Sequence, residues 1–510
     1  MKRGLAWSLV STLCGGVGSL LLTPVLVHRL GAVRFGLYVL ILTLTSYAVF
    51  FDFGLTWAAG RFFAEDFACD RRRNLAERFH TLARFQLGIG CCSIAIAILA
   101  GPLILRTVGM DPGTRPLLPL TLAAVSFALM LQAGLAASLL RACQRFDDAG
   151  RVAALGSVLL PAGSYAAVHA SPGLPPLLIV NALVNAIVLA LYLAMTRTEL
   201  RSEQVVRWEP RYLRDMAPFG GWSSIGRLIL VVMLQVDRLV VALLGSVAGL
   251  TYYAVPANLA SRINILGGPF ANIFLSRASL LHAQRRGSEL AWQHASARRF
   301  LTWTAAAAAA PLVLLGSDFL RVWIGSEMST RGGAVLIVLA LGYVVTAVAS
   351  LDAVTLEATG RPDLPAKAML AWAAVAVGSV VAFAPALGSR TVAYAVAGWL
   401  AGVGFTNVVM VRRVVLTRPW GENGPFPVLG LIGSSGSAAV AAWLVRPFVE
   451  NLLAALLAFV VVGGTFAVVG FFSILNEDDR GLVGANLRRF LPPFGMSPRG
   501  AASPHPPIQP

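Results

Sequence analysis

Long apolar blocks dominate the chain, and short polar segments or longer basic loops separate them. Most blocks are about 20 residues long, which is the length of helix that crosses a hydrocarbon core of about 30 Å. Transmembrane strands would be shorter and would alternate in polarity. The pattern therefore predicts an all-α polytopic membrane protein. About 14 transmembrane helices are expected, at 6–27, 36–57, 85–105, 117–139, 152–170, 176–195, 219–243, 250–275, 300–320, 333–355, 367–387, 391–411, 426–446 and 451–475.

The composition strengthens this prediction, because 57% of the 510 residues are hydrophobic and 13% are charged, whereas soluble domains carry about 25% charged residues. The net charge of +17 comes mainly from basic loops such as 61–80, 196–215 and 277–299. Since Lys and Arg accumulate in cytoplasmic loops, both termini are predicted to be cytoplasmic, and the charge requires no nucleic-acid partner. The amphipathic parts of these loops are expected to lie along the anionic membrane surface.

Three segments of the first half of the chain recur in the second half, at offsets that increase slowly along the sequence. The matches are "LGAVRFGLY" at 30–38 with "LGSVAGLTY" at 244–252, Arg84-Phe85 with Arg299-Phe300, and "LRACQRFDDA" at 140–149 with "LEATGRPDLP" at 356–365. Each match alone is weak, but three collinear matches indicate an internal repeat.

The repeat predicts two six-helix lobes of equal orientation, at 1–217 and 218–415. An additional helix pair at 416–475 follows, and then a partly disordered cytoplasmic tail at 476–510. Transporters with parallel repeats bind their substrate between the lobes and alternate access by rocking one lobe against the other. The expected architecture is therefore that of a carrier.

Sequence motifs of enzymes are missing from the chain. We find no Walker motif, no metal-ligand cluster and no nucleophile elbow, so neither a cofactor nor a metal is expected. A membrane-embedded glycan-transferring enzyme is the rival from another class. Such an enzyme would be expected to carry a larger external loop with acids or histidines.

Three arginines fall within predicted spans and away from the terminal residues of those spans: Arg227, Arg238 and Arg262. Arg262 follows Asn258 by one helical turn and precedes a helix-breaking "GGP" at 267–269. A charged arginine at the bilayer centre costs about 2.5–3.5 kcal/mol on insertion scales, so it should face a cavity or a partner. We interpret the three arginines and Asn258 as the lining of a cationic substrate cavity, because guanidinium binds phosphate oxygens bidentately.

For each of four further charged residues, two roles are consistent with the sequence. Asp237, beside Arg238, and Asp52 are candidates for ion coupling, or else they form ion pairs that only stabilise the bundle; Arg238 is also close enough to a span end to snorkel. Arg61 and Glu65 are candidates for guiding an anionic headgroup at the cytoplasmic entrance. Ordinary positive-inside topology explains these last two equally well.

Several motifs resemble the polysaccharide transporter family, the lipid-linked oligosaccharide flippases of the multidrug/oligosaccharidyl-lipid/polysaccharide superfamily. The matching features are "FGLY" at 35–38, "DFGL" at 52–55, "R..AE" at 61–65, "VDRLVVALLGSVAGLTYYAV" at 236–255, "RVWIG" at 321–325 and "EATGRP" at 357–362. The resemblance covers roughly residues 5–415.

This resemblance implies a bacterial inner-membrane flippase that moves undecaprenyl-diphosphate-linked oligosaccharides to the periplasmic leaflet. Its implied partners are that substrate, membrane lipids, and a polysaccharide polymerase or export machinery. Two alternatives share the scaffold: a cation-coupled multidrug or small-molecule exporter, and a peptidoglycan lipid-precursor flippase. The latter typically carries arginines in the first helix, whereas here no charge lies between Arg3 and His28.

Overall fold

The computed structural model of the protein describes residues 2–47, 55–99, 101, 117–200, 209–216, 235–244, 246–265, 267–387, 390–415 and 428–481. The regular structure in these ranges is helical. Eleven of the described helices are long and apolar enough to cross a membrane. The prediction of an all-α polytopic membrane protein is thereby confirmed, while the count of about 14 spans stays a prediction.

The main helices are α1 (Lys2–Tyr47), α2 (Leu55–Ala68), α3 (Arg72–Leu99), α4 (Leu117–Ala142), α5 (Phe146–Ala170), α6 (Leu174–Thr196), α7 (Val247–Ser261), α8 (Gly267–Ala283), α9 (Gly287–Trp323), α10 (Ser326–Ala358), α11 (Asp363–Leu387), α12 (Arg390–Val414), α13 (Val428–Val445) and α14 (Leu452–Ser473). Shorter helical stretches occupy 210–216 and 235–244.

Helix α1 consists of two helical segments joined at Gly31, whose φ of 75° and ψ of 165° are non-helical. A residue with a side chain would be strained at this φ, so glycine is required here. Gly31 lies between the predicted spans 6–27 and 36–57. The sequence break between these two spans therefore coincides with a structural break.

Neighbouring helices within each half run antiparallel, which defines two ends of the bundle. In α5 and α6, for example, Gly156 faces Val188 while Gly163 faces Val180. We call the end at which α1 begins the near end, and the end that holds Gly31 and Ser246 the far end.

Four tight turns at the near end have the same backbone geometry. In each, a residue with positive φ ends a helix, and the next N–H donates to a carbonyl five residues earlier, as in a Schellman motif. The positive-φ residues are Asp70, Gln144, Arg285 and Gly360, and the donors are Arg71, Arg145, Arg286 and Arg361. The turns are spaced 215 and 216 residues apart between the two halves, as in the sequence repeat. This recurrence supports the two-lobe organisation, which remains a proposal.

The pair α13–α14 packs along α9 and is attached to it at both ends. Arg446 Nε lies 2.9 Å from Asp318 Oδ2 at the far end, and Arg299 Nε lies 2.6 Å from Asp479 Oδ2 at the near end. Between these ion pairs, the indole N–H of Trp303 donates to the carbonyl of Ala467 at 2.8 Å.

The basic segments 61–80 and 277–299 are mostly helical extensions that pack in part on the bundle; that their amphipathic parts lie along the membrane surface stays a prediction. Helix α9 begins at Gly287, and its Leu290 and Ala291 are buried. Helix α3 begins at Arg72, and its Leu75 is buried. Some of their apolar side chains are therefore covered by protein, whereas Leu280 and Trp292 are exposed.

Candidate functional site

A break in the backbone between α7 and α8 forms the centre of the candidate site. Helix α7 ends at Ser261, a single 3₁₀ turn covers Arg262–Ile265, and α8 begins at Gly267. Pro269 lies in the first turn of α8, where its missing N–H costs no helical hydrogen bond. The predicted break is present, a few residues before "GGP". Irregular backbone at membrane depth requires a protein or water-filled environment.

Arg262, the first residue of this turn, connects the second half of the chain to the first. Its side chain is exposed, and its Nη2 donates to Ser19 Oγ of α1 at 2.9 Å. A Cβ on Gly16 of the same helix would lie 3.9 Å from Arg262 Nη1. The small residues of α1 therefore leave room for the guanidinium.

Arg238 belongs to the same region through Asn258, one helical turn before Arg262. Its Nη2 donates to Asn258 Oδ1 at 2.6 Å. Its Nε is buried and has no hydrogen-bond partner among the described residues. The structure thus brings together three of the predicted site residues, namely Arg238, Asn258 and Arg262.

Asp237 points away from this group, although it precedes Arg238 in the sequence. Its carboxylate is 7% exposed and accepts from the hydroxyl of Tyr253 at 2.7 Å and from the backbone N–H of Arg238 at 2.7 Å. The two adjacent charges therefore have different environments. The carboxylate lies in the core, and the guanidinium lies beside Asn258.

The remaining predicted residues are less defined. Arg227 and Asp52 lie outside the described residues, as does the side chain of Arg61. Glu65 is exposed near the end of α2, at the near end of the bundle.

At the near end, the short segment 209–216 packs on the helices that precede it. The hydroxyl of Tyr212 donates to Glu77 Oε2 at 2.9 Å, and Met216 is fully buried. Close by, Arg78 Nε lies 3.0 Å from the buried Asp66 Oδ2. Burial raises the pKa of Asp66, and the attraction of Arg78 opposes this rise only in part.

At the far end, the two halves touch backbone to backbone. Thr251 of α7 donates its hydroxyl to the carbonyl of Ala32 in α1 at 2.6 Å. A Cβ on Gly36 would lie 1.9 Å from the carbonyl oxygen of Val247. No side chain larger than that of glycine fits there without separating the halves, so the far end is closed while Arg262 remains exposed.

Sequence analysis did not identify Ser19 or Tyr253 as parts of this region. The signal for Ser19 was the small-residue run "CGGVGS" at 14–19, since small residues in a span permit close helix approach. Tyr253 carried no such signal. Among the described residues, no group of three or more His, Cys, Asp or Glu side chains is arranged to hold a metal ion.

Comparisons with known proteins agree with this architecture. The family described as "Polysaccharide biosynthesis protein" matches residues 1–274. No curated protein matches the sequence.

Three solved structures resemble the fold closely. An inward-closed lipid II flippase MurJ has 13% identity and a TM-score of 0.68, covering 92% of this chain and 99% of that chain. An inward-facing multidrug resistance MATE family transporter has 14% identity and a TM-score of 0.60, covering 80% and 94%. An outward-facing one has 15% identity and a TM-score of 0.56, covering 81% and 95%. At these identities the similarity is one of fold.

Proposed function

Since the chain belongs to the polysaccharide biosynthesis protein family, we propose that it is a flippase for lipid-linked oligosaccharides. It carries undecaprenyl-diphosphate-linked repeat units from the cytoplasmic to the periplasmic leaflet of a bacterial inner membrane. The match confirms the family resemblance inferred from the motifs. The substrate, the direction of transport and the identity of the membrane are proposed.

The observation that carries the proposal is the position of Arg262. It lies at a helix break, its side chain is exposed, and it spans from the second half of the chain to Ser19 in the first. A guanidinium has five N–H donors in a planar fork, so donors remain for a diphosphate after one bond to Ser19.

The partners of the two arginines also favour anion binding. Ser19 and Asn258 are neutral acceptors, and among the described residues neither Arg238 nor Arg262 forms an ion pair with a carboxylate. A phosphate oxygen carries a negative charge that the hydroxyl of Ser19 and the amide of Asn258 lack, and it can accept from a guanidinium in a bidentate pair. A phosphate oxygen would therefore replace these acceptors with a gain in binding energy.

The closed far end supports an alternating-access cycle between the proposed lobes, 1–217 and 218–415. With the near end as the cytoplasmic side, both termini are cytoplasmic and the contact between Gly36 and Val247 lies on the periplasmic side. Separation of Gly36 from Val247 then opens the periplasmic side. The proposed helix pair 416–475 moves with the second lobe, because α14 is attached to α9. Arg227 extends the cationic lining, Asp237 and Asp52 serve ion coupling, and Arg61 and Glu65 guide the headgroup at entry.

The fold shared with multidrug MATE transporters makes a small-molecule exporter the second candidate. An exporter of cations needs an intramembrane acid, and the buried Asp237 is available for that role. In that case Asp237→Asn would abolish activity, and the arginines would be replaceable.

The test is headgroup translocation in proteoliposomes, using a fluorescent undecaprenyl-diphosphate oligosaccharide. Loss of one charged hydrogen bond costs about 1.5–3 kcal/mol, so we expect Arg262→Gln to slow transport roughly 10- to 100-fold. Arg331→Gln is the matched control, because it removes the same charge at a surface pair with Glu327. Normal transport by both Arg262→Gln and Arg238→Gln would refute the cationic cavity, and export of cationic dyes without lipid transport would favour the exporter.

A further inference from the structure

A buried histidine–aspartate pair lies outside the proposed substrate site. His294 Nε2 of α9 is 3.0 Å from Asp352 Oδ1 of α10. His294 is 3% exposed and Asp352 is fully buried. Burial of ionisable groups is costly unless they are paired, and the substrate path proposed above does not use this pair.

The charged groups around the pair come from three helices. Arg298 Nη1 of α9 lies 3.8 Å from Asp352 Oδ1, and Arg412 of α12 interacts electrostatically with both Arg298 and Asp352. Two guanidinium groups thus face one carboxylate. Asp352 Oδ2 has no hydrogen-bond partner among the described residues, so its acceptor capacity is not fully used.

The fourth neighbouring helix, α8, faces the pair with an aromatic ring. Phe274 packs against His294 at 6.2 Å between ring centroids, with an interplanar angle of 62°. Phe274 and Leu281 of α8 form one buried cluster with Leu290 and Leu351 of α9 and α10. Contacts therefore join Asp352, His294 and Phe274, and Phe274 belongs to the helix that begins at Gly267, two residues after the turn Arg262–Ile265.

We propose that His294 and Asp352 form a proton-binding site that sets the position of α8 and thereby the presentation of Arg262. A neutral imidazole has one ring nitrogen that carries a proton and one that can accept a proton. With Nε2–H donating to Asp352, a proton taken up from the near end adds to Nδ1, and no other bond forms or breaks. The imidazolium adds a third positive charge beside Arg298 and Arg412, which already face Asp352. Repulsion among these three cations then displaces the ring and Phe274, which packs on it.

The consequence for transport depends on the proposed flippase function, whereas proton binding does not. The first experiment therefore uses the full chain in nanodiscs without substrate. It measures hydrogen–deuterium exchange of 262–283 at about pH 5.5 and about pH 7.5, corrected for intrinsic exchange rates. For the wild type we expect exchange in this segment to change at least about twofold between the two pH values.

Two variants test the assignment. His294→Gln keeps a neutral donor for Asp352 but has no group that takes up a proton, so its exchange should not respond to pH. His282→Gln is the matched control, because His282 is exposed at the end of α8 and its loss should leave the wild-type response intact. If His294→Gln fails to fold, His294→Asn provides the second neutral variant.

Equal pH responses in the wild type and His294→Gln, or no response in the wild type, would overturn the proton site. If His294→Gln loses the pH response of exchange but the wild type translocates no lipid, the proton site is retained and the flippase function is rejected. If both hold, the pH dependence of translocation should also disappear in His294→Gln.

Discussion

The arginines beside the helix break and the arginines at the near end of the bundle have different kinds of partner. Arg262 and Arg238 donate to the neutral acceptors Ser19 and Asn258. At the near end of the bundle, by contrast, arginines of α9 and α3 pair with buried carboxylates, as in Arg299–Asp479 and Arg78–Asp66.

The difference indicates which arginines serve stability and which remain available for a ligand. A guanidinium paired with a carboxylate has its charge compensated, and a second anion must break that pair before it can bind. A guanidinium held by a hydroxyl or an amide keeps its positive charge. Truncating a buried ion pair leaves an uncompensated charge, whereas truncating an arginine held by a neutral group does not.

The largest expected effect on stability is that of Arg299→Ala, which leaves Asp479 without its cation. Breaking a buried pair costs about 3–5 kcal/mol, and both side chains are nearly inaccessible, at 11% and 4%. We expect a clear fall in melting temperature in detergent, with α13–α14 losing protection from hydrogen exchange first. Arg331→Ala, at an exposed pair, should change little. Equal melting temperatures for the two variants would show that the buried Arg299–Asp479 pair stabilises the fold no more than the exposed Arg331–Glu327 pair.

The next largest effect is expected when Arg262, which has a neutral partner, is given a carboxylate as its partner. Ser19→Asp places a carboxylate beside Arg262, so we expect transport of an anionic headgroup to fall by about 10- to 100-fold, which corresponds to about 1.5–3 kcal/mol for a charged hydrogen bond. The melting temperature should not fall, because the new group is paired. Ser19→Asn is the neutral control of similar size and should retain most transport. Full activity of Ser19→Asp in the translocation assay would show that Arg262 need not be free.

Much of the framework around these arginines could be predicted from sequence. The break near "GGP" and the joint at Gly31 follow from helix-breaking residues and the length of the apolar blocks. The repeat of the near-end turns follows from matches such as 140–149 with 356–365. These features depend on local sequence, where backbone preferences act directly.

The partners of the charges could not be predicted, because they come from distant residues. Ser19 is 243 residues from Arg262 in the sequence, and nothing local indicates that Asp237 bonds with Tyr253 while Arg238 turns to Asn258. His294 was assigned to a basic loop, so its burial against Asp352 was missed. Pairing across helices depends on the packing of the whole bundle.

A smaller effect is expected at the far end, where Gly36 of α1 and Val247 of α7 are in close contact. Gly36→Ala places a methyl group against the carbonyl of Val247, and overpacking of this kind costs about 1–3 kcal/mol. The closed state should be disfavoured by that amount. We expect faster labelling, from the far side, of a cysteine introduced at Ser19. Gly88→Ala, in open space on α3, is the control and should leave the labelling rate unchanged.

The smallest effect concerns the pH dependence of the compensated pair. Burial alone would raise the pKa of Asp479, but hydrogen bonds from Arg299 and Ser296 outweigh it and hold the pKa below its usual value. The pair therefore contributes stability that is fully present above the unfolded pKa of about 3.9 and is lost as the pH falls through the lower folded value. Melting temperatures measured between about pH 5 and about pH 3 should fall more steeply for the wild type than for Asp479→Asn. Parallel curves would mean that the contact of Arg299 with Asp479 contributes no stability through the ionised carboxylate. Arg299 and Arg262 would then differ in the geometry of their contacts and not in charge compensation.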